Sequence, residues 1–163
     1  MNKELLHEMF EYKDGNLVWK IKNKNAHGIN IGDVAGCIDS KGYRVIKINK
    51  KMYKAHRLTW IYHNGDIEDG LCIDHIDRNP SNNKIENLRP ATRSQNGSNA
   101  TKCKNNTSGY KGISWHKRSK KWMARIGHNN KLINIGGFIT KEEAYAAYCE
   151  AAKKYHGDYA CWE

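Results

Sequence analysis

The chain has 163 residues and a formal net charge of +11, from 28 lysines and arginines against 17 aspartates and glutamates. It contains no run of the ~18 apolar residues that a membrane-spanning helix needs, and its first residues lack the apolar stretch of a secretory signal. The five scattered cysteines include no C-x-x-C pair, which excludes the usual zinc-ribbon spacing and indicates reduced thiols. These features predict a cytoplasmic protein, neither secreted nor membrane-bound, whose partner is a polyanion such as nucleic acid.

The positive charge is concentrated at the two ends of the chain. Residues 1–55 hold 11 basic and 6 acidic residues, a net charge of +5, and residues 101–163 hold 12 and 5, a net charge of +7. Residues 56–100 hold 5 basic and 6 acidic residues, a net charge of -1. This distribution suits basic arms that bind phosphate and a centre whose carboxylates hold a metal ion. Charge alone equally allows lysine-rich surfaces that only keep the protein soluble.

Residues 1–55 are predicted to form a basic, β-rich region that contacts DNA. The pattern of apolar residues predicts a short amphipathic helix over residues 2–10 and a strand over residues 17–21. Two more strands, at residues 43–48 and 52–55, are separated by a lysine-containing turn and predict a basic hairpin.

The central segment places polar residues at the ends of short elements. A helix is predicted at residues 56–63, an apolar strand at 70–77 and a return strand at 87–89. Thr92 and Gln95 have the spacing of a capping box, in which each side chain bonds to a backbone amide at the start of a helix.

This segment carries residue types that suit metal-assisted hydrolysis of a phosphodiester. His75 can act as the base for an attacking water, because neutral imidazole is available near pH 7. Asp74 points to the opposite face of an extended strand and can hold a metal ion. Asn96, on the helix that follows, offers a neutral oxygen, and two protein ligands leave positions for water and phosphate oxygens, as Mg²⁺ prefers.

The order and spacing of Asp74, His75, Asn87 and Asn96 resembles the HNH homing-type nucleases of the ββα-metal, or His-Me finger, superfamily, over about residues 43–97. The resemblance implies that His75 is the general base and that Asn87 braces the loop that holds it. It also implies that Asp74 and Asn96 bind one Mg²⁺ or Mn²⁺ per active site. Asn in place of His at the last position favours a hard cation over zinc. Phosphate contacts are expected from the arginines of this segment, namely Arg57, Arg78, Arg89 and Arg93.

Residues 98–108 are predicted to be a linker, because the segment from Gly97 to Gly109 contains no large apolar residue. After it, apolar and polar residues alternate in three segments, which predicts three strands with one face towards a core. Their inward side chains are expected to be Ile113, Trp115, Trp122, Ala124, Ile126, Ile133 and Ile135. A capping box at Thr140 then begins a helix that Gly157 ends.

The pieces SGYKGISW, KKWMARI and IGGF in this last segment resemble the plant APETALA/ethylene-response-factor DNA-binding domain, which also occurs in phage and homing nucleases. The resemblance implies that the sheet enters the major groove by the face opposite the helix. Plant arginines and tryptophans are replaced at several positions here, so phosphate contacts are expected to dominate over base contacts. The expected DNA-contacting residues are Lys111, Ser114, His116, Lys121, Arg125 and Asn134.

The predicted fold class is α+β, with a small N-terminal β region at residues 1–55, a ββα-metal nuclease core at 56–97, a linker at 98–108 and an APETALA-like domain at 109–163. The predicted function is metal-dependent endonucleolytic cleavage of double-stranded DNA by a monomer or weak homodimer. A phage or mobile element is its expected origin, and a bacterial or phage-infected cell its expected site of action.

Three alternatives stay open at this point. The first is a non-catalytic DNA-binding regulator with a relic nuclease core. The second is a structural zinc protein that uses His56, His63 and Cys72, although their spacing is unusual for zinc. In the third, the C-terminal module mediates protein contacts.

Overall fold

The computed structural model describes residues 1–22, 29–103, 105–129 and 131–162. The chain divides into two compact units, residues 1–91 and 92–163. Both units mix helices and strands, which confirms the predicted α+β class. Within the described ranges, no helix has the length and apolar character needed to cross a membrane.

The first unit begins with helix α1 (Lys3–Met9). The side chain of Asn2 accepts a hydrogen bond from the backbone amide of Leu5, which satisfies one of the amides that the first helical turn leaves unpaired. The predicted helix over residues 2–10 is therefore correct, except at its C-terminal end.

Phe10 lies outside the helix and is the first residue of a strand. This strand was not predicted from the sequence. Strand β1 (Phe10–Lys13) pairs with β2 (Asn16–Trp19) in an antiparallel hairpin. The side chain of Phe10 is fully buried, and its ring centroid lies 4.5 Å from that of Trp19. Burial across this hairpin outweighs the helical periodicity at Phe10, since a fully buried aromatic side chain contributes about 1.5–3 kcal/mol.

A second antiparallel sheet in this unit contains β3 (Cys37–Ile38), β4 (Arg44–Ile48) and β5 (Lys51–Lys54), in that order. Asn49 and Lys50 join β4 to β5 with φ values of 47° and 67°. Positive φ at both positions is typical of the two-residue turns that match the twist of a hairpin. The predicted basic hairpin is thus confirmed.

Helix α2 (Ala55–Asn64) packs against these strands. Ala55 and Leu58 of this helix belong to the same buried core as the N-terminal strands. The core therefore includes residues on both sides of the boundary predicted between residues 55 and 56. Its buried members are Leu6, Phe10, Leu17, Trp19, Ala35, Ile46, Ile48, Ala55 and Leu58.

Strands β6 (Cys72–His75) and β7 (Leu88–Ala91) complete the first unit as an antiparallel pair. Their register places Asp74 opposite Arg89 and His75 opposite Leu88. A single 3₁₀ turn at Ile85–Asn87 leads into β7.

The second unit opens with helix α3 (Arg93–Asn99). Both hydrogen bonds of the predicted capping box are present, because the Thr92 hydroxyl accepts from the Gln95 amide and the Gln95 side chain accepts from the Thr92 amide. The helix extends into the predicted linker at 98–108, where Ser98 and Asn99 are buried. Lys104 in that segment lies outside the described residues.

The predicted three-stranded antiparallel sheet packed on one helix is confirmed in this unit. Strand β9 (Lys121–His128) lies between β8 (Ile113–His116) and β10 (Lys131–Phe138). Helix α4 (Lys141–His156) begins at a complete capping box and ends at Gly157, whose φ is 53°. The buried core between sheet and helix contains Ile113, Ala124, Ile126, Ala144, Tyr148 and Ala152.

The prediction that Trp115 faces the core of the sheet is wrong. Trp115 is 47% exposed at the edge strand β8, with its ring centroid 5.2 Å from that of the partly buried Trp122.

Close packing between the sheet and α4 depends on Gly112, where an added Cβ would lie 2.4 Å from the Tyr148 ring and 2.6 Å from the Arg125 carbonyl oxygen. The strands therefore approach α4 only because position 112 has no side chain.

Candidate active site and basic cleft

His75 lies at the end of β6 and is only 6% exposed. Its Nε2 atom is 3.0 Å from Oδ1 of Asn83, a residue that is 2% exposed in the loop between β6 and β7. The backbone carbonyl of His75 accepts a hydrogen bond from the Arg78 amide, which closes the turn after the strand. Burial and the contact with Asn83 therefore restrict the position of the imidazole.

A second histidine packs against this ring. His56 on α2 is 8% exposed, and the centroids of the two imidazoles lie 4.9 Å apart in an edge-to-face arrangement. Burial, and to a smaller extent the neighbouring His75, Arg57 and Lys54, together lower the pKa of His56 to about 3. His56 is consequently neutral near pH 7. His56 packs against the His75 ring.

Asp74, the predicted metal ligand, forms a buried ion pair with Arg89. Nε and an Nη atom of Arg89 each lie 3.0 Å from Oδ2 of Asp74, and the two side chains are 15% and 6% exposed. The register of β6 and β7 creates this pair, since it places the two residues directly opposite each other. The positive charge of Arg89 therefore neutralises the Asp74 carboxylate. The contact of Arg89 with DNA stays a prediction.

Asn87 ties the loop to both strands. Its carbonyl accepts from the Ile76 amide, its Oδ1 accepts from the Asp77 amide, and its Nδ2 donates to Oδ1 of Asp77 and to the Asn82 carbonyl. These four bonds hold the segment that directly follows His75. The contribution of Asn87 to catalysis remains a prediction.

The Asp77 carboxylate is the centre of this loop network. Burial raises its pKa, but hydrogen bonds from the Asn82 side chain, the Asn79 amide and the Asn87 side chain lower it more, so that the net shift is downwards. The carboxylate therefore stays ionised as an acceptor within the loop. The Asp77 carboxylate thus stabilises the conformation of this loop.

The predicted DNA-contacting arginines of the first unit differ in exposure. Arg57 is exposed on α2, and Arg78 is half-buried with a φ of 63° in the loop after β6. Asn96, the other predicted metal ligand, is exposed on α3 in the second unit. Its pairing with Asp74 on one metal ion stays a prediction.

A basic cleft of about 460 Å³ lies in the second unit. It brings together Arg93, Lys111 and Arg125, three of the residues predicted to contact DNA. Lys111 also connects the cleft lining to the end of α3, because its ammonium group donates hydrogen bonds to the carbonyls of Ser98 and Ala100. The lining also includes His128, Lys131, Tyr148 and His156.

The other predicted DNA-contacting residues lie outside this cleft but are exposed on the sheet. Asn134 is registered opposite Arg125 on neighbouring strands. Nδ1 of His116 lies 2.7 Å from the Ser119 hydroxyl, which orients the ring at the end of β8. Together with these two, Ser114 and Lys121 are exposed.

Asn83 and Lys131 were not predicted as site residues, and His56 was considered only in the zinc alternative. Asn83 is one of several asparagines in a loop whose composition indicates turns, and no local pattern separates the one buried residue from its exposed neighbours. His56 begins an amphipathic helix, and only its proximity to His75 in space distinguishes it. Lys131 could have been found as a cation at the start of the strand that carries Asn134.

The described residues include no group of three or more histidine, cysteine, aspartate or glutamate side chains placed to hold a metal ion. The zinc alternative through His56, His63 and Cys72 therefore has no support among them. Asp74 and Asn96 would offer one carboxylate and one amide, which are oxygen donors of the kind that hard divalent cations prefer.

Comparisons with known proteins identify two family segments in this chain. A family model described as HNH endonuclease matches residues 53–98, and one described as AP2 domain matches residues 108–158. Protein 3.8 of Escherichia phage T7 is 37% identical over 119 residues, which cover 70% of this chain and 96% of that protein.

The plant proteins match over 50 residues, less than a third of this chain. Ethylene-responsive transcription factor WRI1 of Arabidopsis thaliana is 44% identical over 50 residues, 29% of this chain and 12% of that protein. AP2-like ethylene-responsive transcription factor CRL5 of Oryza sativa subsp. japonica is 44% identical over 50 residues, 29% of this chain and 8% of that protein. No solved structure matches the chain.

Proposed function

We propose that this chain, which belongs to the family of Protein 3.8 of phage T7 and contains an HNH endonuclease segment and a C-terminal AP2 domain, is a metal-dependent endonuclease of double-stranded DNA. The observation that supports this most is the buried His75, held between Asn83 and His56 and adjacent to Asp74, inside the segment that matches the HNH model. A homing-type role in a phage or mobile element is the finer form of the proposal.

In the proposed reaction, His75 removes a proton from water, and the resulting hydroxide attacks phosphorus in line with the departing 3′ oxygen. Asn87 holds the turn after β6, so that the imidazole keeps one orientation while the proton moves. Arg89 holds the Asp74 carboxylate in place through two hydrogen-bonding contacts.

A single Mg²⁺ or Mn²⁺ fits the proposed donor set, because Asp74 and Asn96 contribute only oxygen atoms. When bound, such an ion would stabilise negative charge on the phosphate and the leaving oxygen. Asp74 and Asn96 are the residues that would hold it.

The basic cleft and the hairpin of β4 and β5 are the proposed DNA-binding surfaces. Lys47, Lys50 and Lys51 on or beside the hairpin are exposed, while Lys54 is paired with Asp39 at 2.5 Å. In the second unit, Arg93, Arg125 and Lys131 line the cleft, where phosphate oxygens would meet several cations at once.

Removing two cations from the cleft is expected to lower the affinity for DNA and to make that affinity less sensitive to salt concentration. In the double variant Arg125→Gln/Lys131→Gln, each lost phosphate contact should reduce the slope of log affinity against log salt by about 0.9. Dissociation constants measured between low and moderate NaCl concentrations test this.

The matched control is Lys153→Gln/Lys154→Gln, which removes the same charge from exposed positions on α4 that do not line the cleft. We expect the control to keep a slope close to that of the wild type. Equal slopes for both double variants would show that the cleft does not contact phosphate.

The enzymatic proposal is tested by incubating the purified chain with supercoiled plasmid and with phage DNA, in the presence of Mg²⁺, Mn²⁺ or EDTA. Conversion of supercoiled DNA to open circles or linear product with either cation, and none with EDTA, is the expected result. Tight DNA binding without cleavage under any of these conditions would contradict the proposal and favour the non-catalytic regulator.

A further inference from the structure

A row of aromatic side chains crosses one end of the sheet in the second unit. Trp115 on β8 is registered opposite Trp122 on β9, and Trp122 is registered opposite Phe138 on β10. Side chains that lie directly opposite each other on neighbouring strands share one face of a sheet. The three aromatic side chains therefore form a continuous row, which is called the aromatic platform below.

The aromatic platform lies on the helix side of the sheet. Ile113 is two residues before Trp115 on the same strand and is buried in the core beneath α4, and residues two positions apart in a strand share a face. Trp122 and Phe138 are partly buried against this core, whereas Trp115 is 47% exposed. The row thus runs from the edge of the core to solvent, and its outer end is an indole ring.

Trp115 is not on the face that is expected to enter the major groove. Ser114 and His116 precede and follow it in β8, and both are exposed on the opposite face of the strand. The aromatic platform is therefore a second surface of this unit, separate from the face that the resemblance to plant domains assigns to duplex DNA.

Folding of the second unit does not explain an indole at position 115. A tryptophan stabilises a fold mainly through the apolar area that it removes from water, and nearly half of Trp115 remains in water. Its ring lies 5.2 Å from that of Trp122, centroid to centroid, with 59° between the two ring planes. This contact restricts the orientation of the Trp115 ring and leaves part of its surface available to a ligand.

Cations lie beside the exposed end of the aromatic platform. The turn between β8 and β9 begins two residues after Trp115 and carries Lys117, Arg118 and Lys120, all of which are exposed. Residues 87–141, which include the whole sheet, contain no aspartate or glutamate. The strands of the sheet therefore offer these cations no carboxylate, and the surface around Trp115 is complementary to a polyanion.

An aromatic ring beside several cations is the combination with which proteins bind single-stranded nucleic acid. Unpaired bases stack on the ring, and the cations attract the phosphates between them. In a duplex, each base is already stacked on its neighbours, so its faces are not available to a side chain unless the duplex is kinked.

We propose that the aromatic platform binds unpaired bases of DNA, with one base stacked on Trp115 and the adjoining phosphates bound by Lys117, Arg118 and Lys120. Every base has a π-face, so this site has little sequence preference. Unpaired bases occur in melted duplex and beside a strand break, where the site holds one strand while other surfaces hold the duplex. This binding goes beyond the proposed nuclease activity and does not rest on it.

Binding is measured with the full chain in EDTA, so that metal-dependent cleavage does not interfere. The probes are a fluorescently labelled oligothymidine of about 12 nucleotides, within the usual site size of single-strand-binding folds, and a mixed-sequence duplex. We expect Trp115→Ala to lower the affinity for oligothymidine by roughly 5–150-fold, the usual loss when one stacked aromatic side chain is removed. Its affinity for the duplex should change by less than about twofold, because the cations that bind duplex phosphates are unchanged.

Two further variants separate stacking from packing. Trp115→Phe keeps an aromatic ring and should retain most of the affinity for oligothymidine. Trp115→Leu keeps apolar contact with Trp122 but cannot stack on a base, and it should bind oligothymidine as weakly as Trp115→Ala. If Trp115→Ala does not fold, the comparison of the leucine and phenylalanine variants decides.

Trp162→Ala is the matched control. Trp162 is also an exposed tryptophan of the second unit, at 37%, and the Lys153 ammonium lies 6.0 Å from its ring centroid, but it is not part of the aromatic platform. We expect this variant to bind oligothymidine like the wild type. An equal loss in Trp162→Ala and Trp115→Ala would overturn the proposal.

Three other outcomes would also overturn it. The first is a wild type that binds the duplex but not oligothymidine. The second is an equal loss of affinity for both probes in Trp115→Ala, which would assign Trp115 to the duplex-binding surface. The third is wild-type affinity for oligothymidine in folded Trp115→Leu. A chain that binds oligothymidine through Trp115 but cleaves no DNA would contradict the endonuclease proposal and leave this one standing.

Discussion

Replacement of His75 by alanine is expected to reduce DNA cleavage by roughly 10²–10⁴-fold, because general base catalysis by a positioned side chain contributes about that factor. DNA affinity should stay within about twofold, since the buried His75 ring is not one of the exposed cations that bind phosphate. Single-turnover cleavage of plasmid DNA and a binding isotherm on the same DNA measure the two effects.

Two further variants make this result specific. His75→Gln retains a polar side chain beside Asn83, so a similar loss of cleavage would separate the missing base from a packing defect. His7→Ala removes an exposed histidine of α1 that contacts the Tyr62 carbonyl, and it should cleave like the wild type. Near wild-type cleavage by folded His75→Ala would exclude His75 as the base.

Replacement of Arg89 by leucine is expected to lower the free energy of unfolding of the first unit by about 3–5 kcal/mol, because it removes the cation of a buried ion pair with Asp74. Asp74 is 6% exposed, so water cannot take over the contacts that Arg89 supplies. Hydrogen exchange of the β6 and β7 amides measures this loss in the first unit separately from the second.

The double variant Asp74→Leu/Arg89→Leu removes both charges and should recover much of this stability, since apolar replacement of a buried ion pair is often neutral or stabilising. The exposed pair of Lys13 and Glu11, at 2.9 Å, provides the control. Lys13→Leu should change the unfolding free energy by less than about 1 kcal/mol, as for other surface pairs. A loss below about 1 kcal/mol for Arg89→Leu would show that the buried pair does not stabilise the hairpin.

Asp74 has two positively charged partners: Arg89 in the ion pair, and the proposed metal ion. In the structure its Oδ2 atom receives both contacts from Arg89. A carboxylate held in this way has a restricted orientation, which suits a ligand that must meet a cation at a defined position. The stability of the hairpin and the proposed chemistry thus depend on the same side chain.

Elements with a clear local signal were predicted well from the sequence. The alternation of apolar residues located β8, β9 and β10, and the Thr-x-x-Gln and Thr-x-x-Glu spacings located the starts of α3 and α4. Both signals act within a few residues, through side-chain direction along a strand and through bonds to the first amides of a helix. The pattern of Asp74, His75, Asn87 and Asn96 likewise identified the HNH family from order and spacing.

By itself, therefore, the sequence determined the α+β class, the two families that the chain resembles and the identity of the candidate base. Only the tertiary structure decided that Phe10 joins a strand, that Arg89 neutralises Asp74 and that Asn83 faces the imidazole of His75. Each of these contacts joins residues whose proximity depends on a strand register or a loop conformation. The physical reason is that a buried polar or aromatic side chain is placed by the partners available to it in space, and those partners are not its neighbours in the chain.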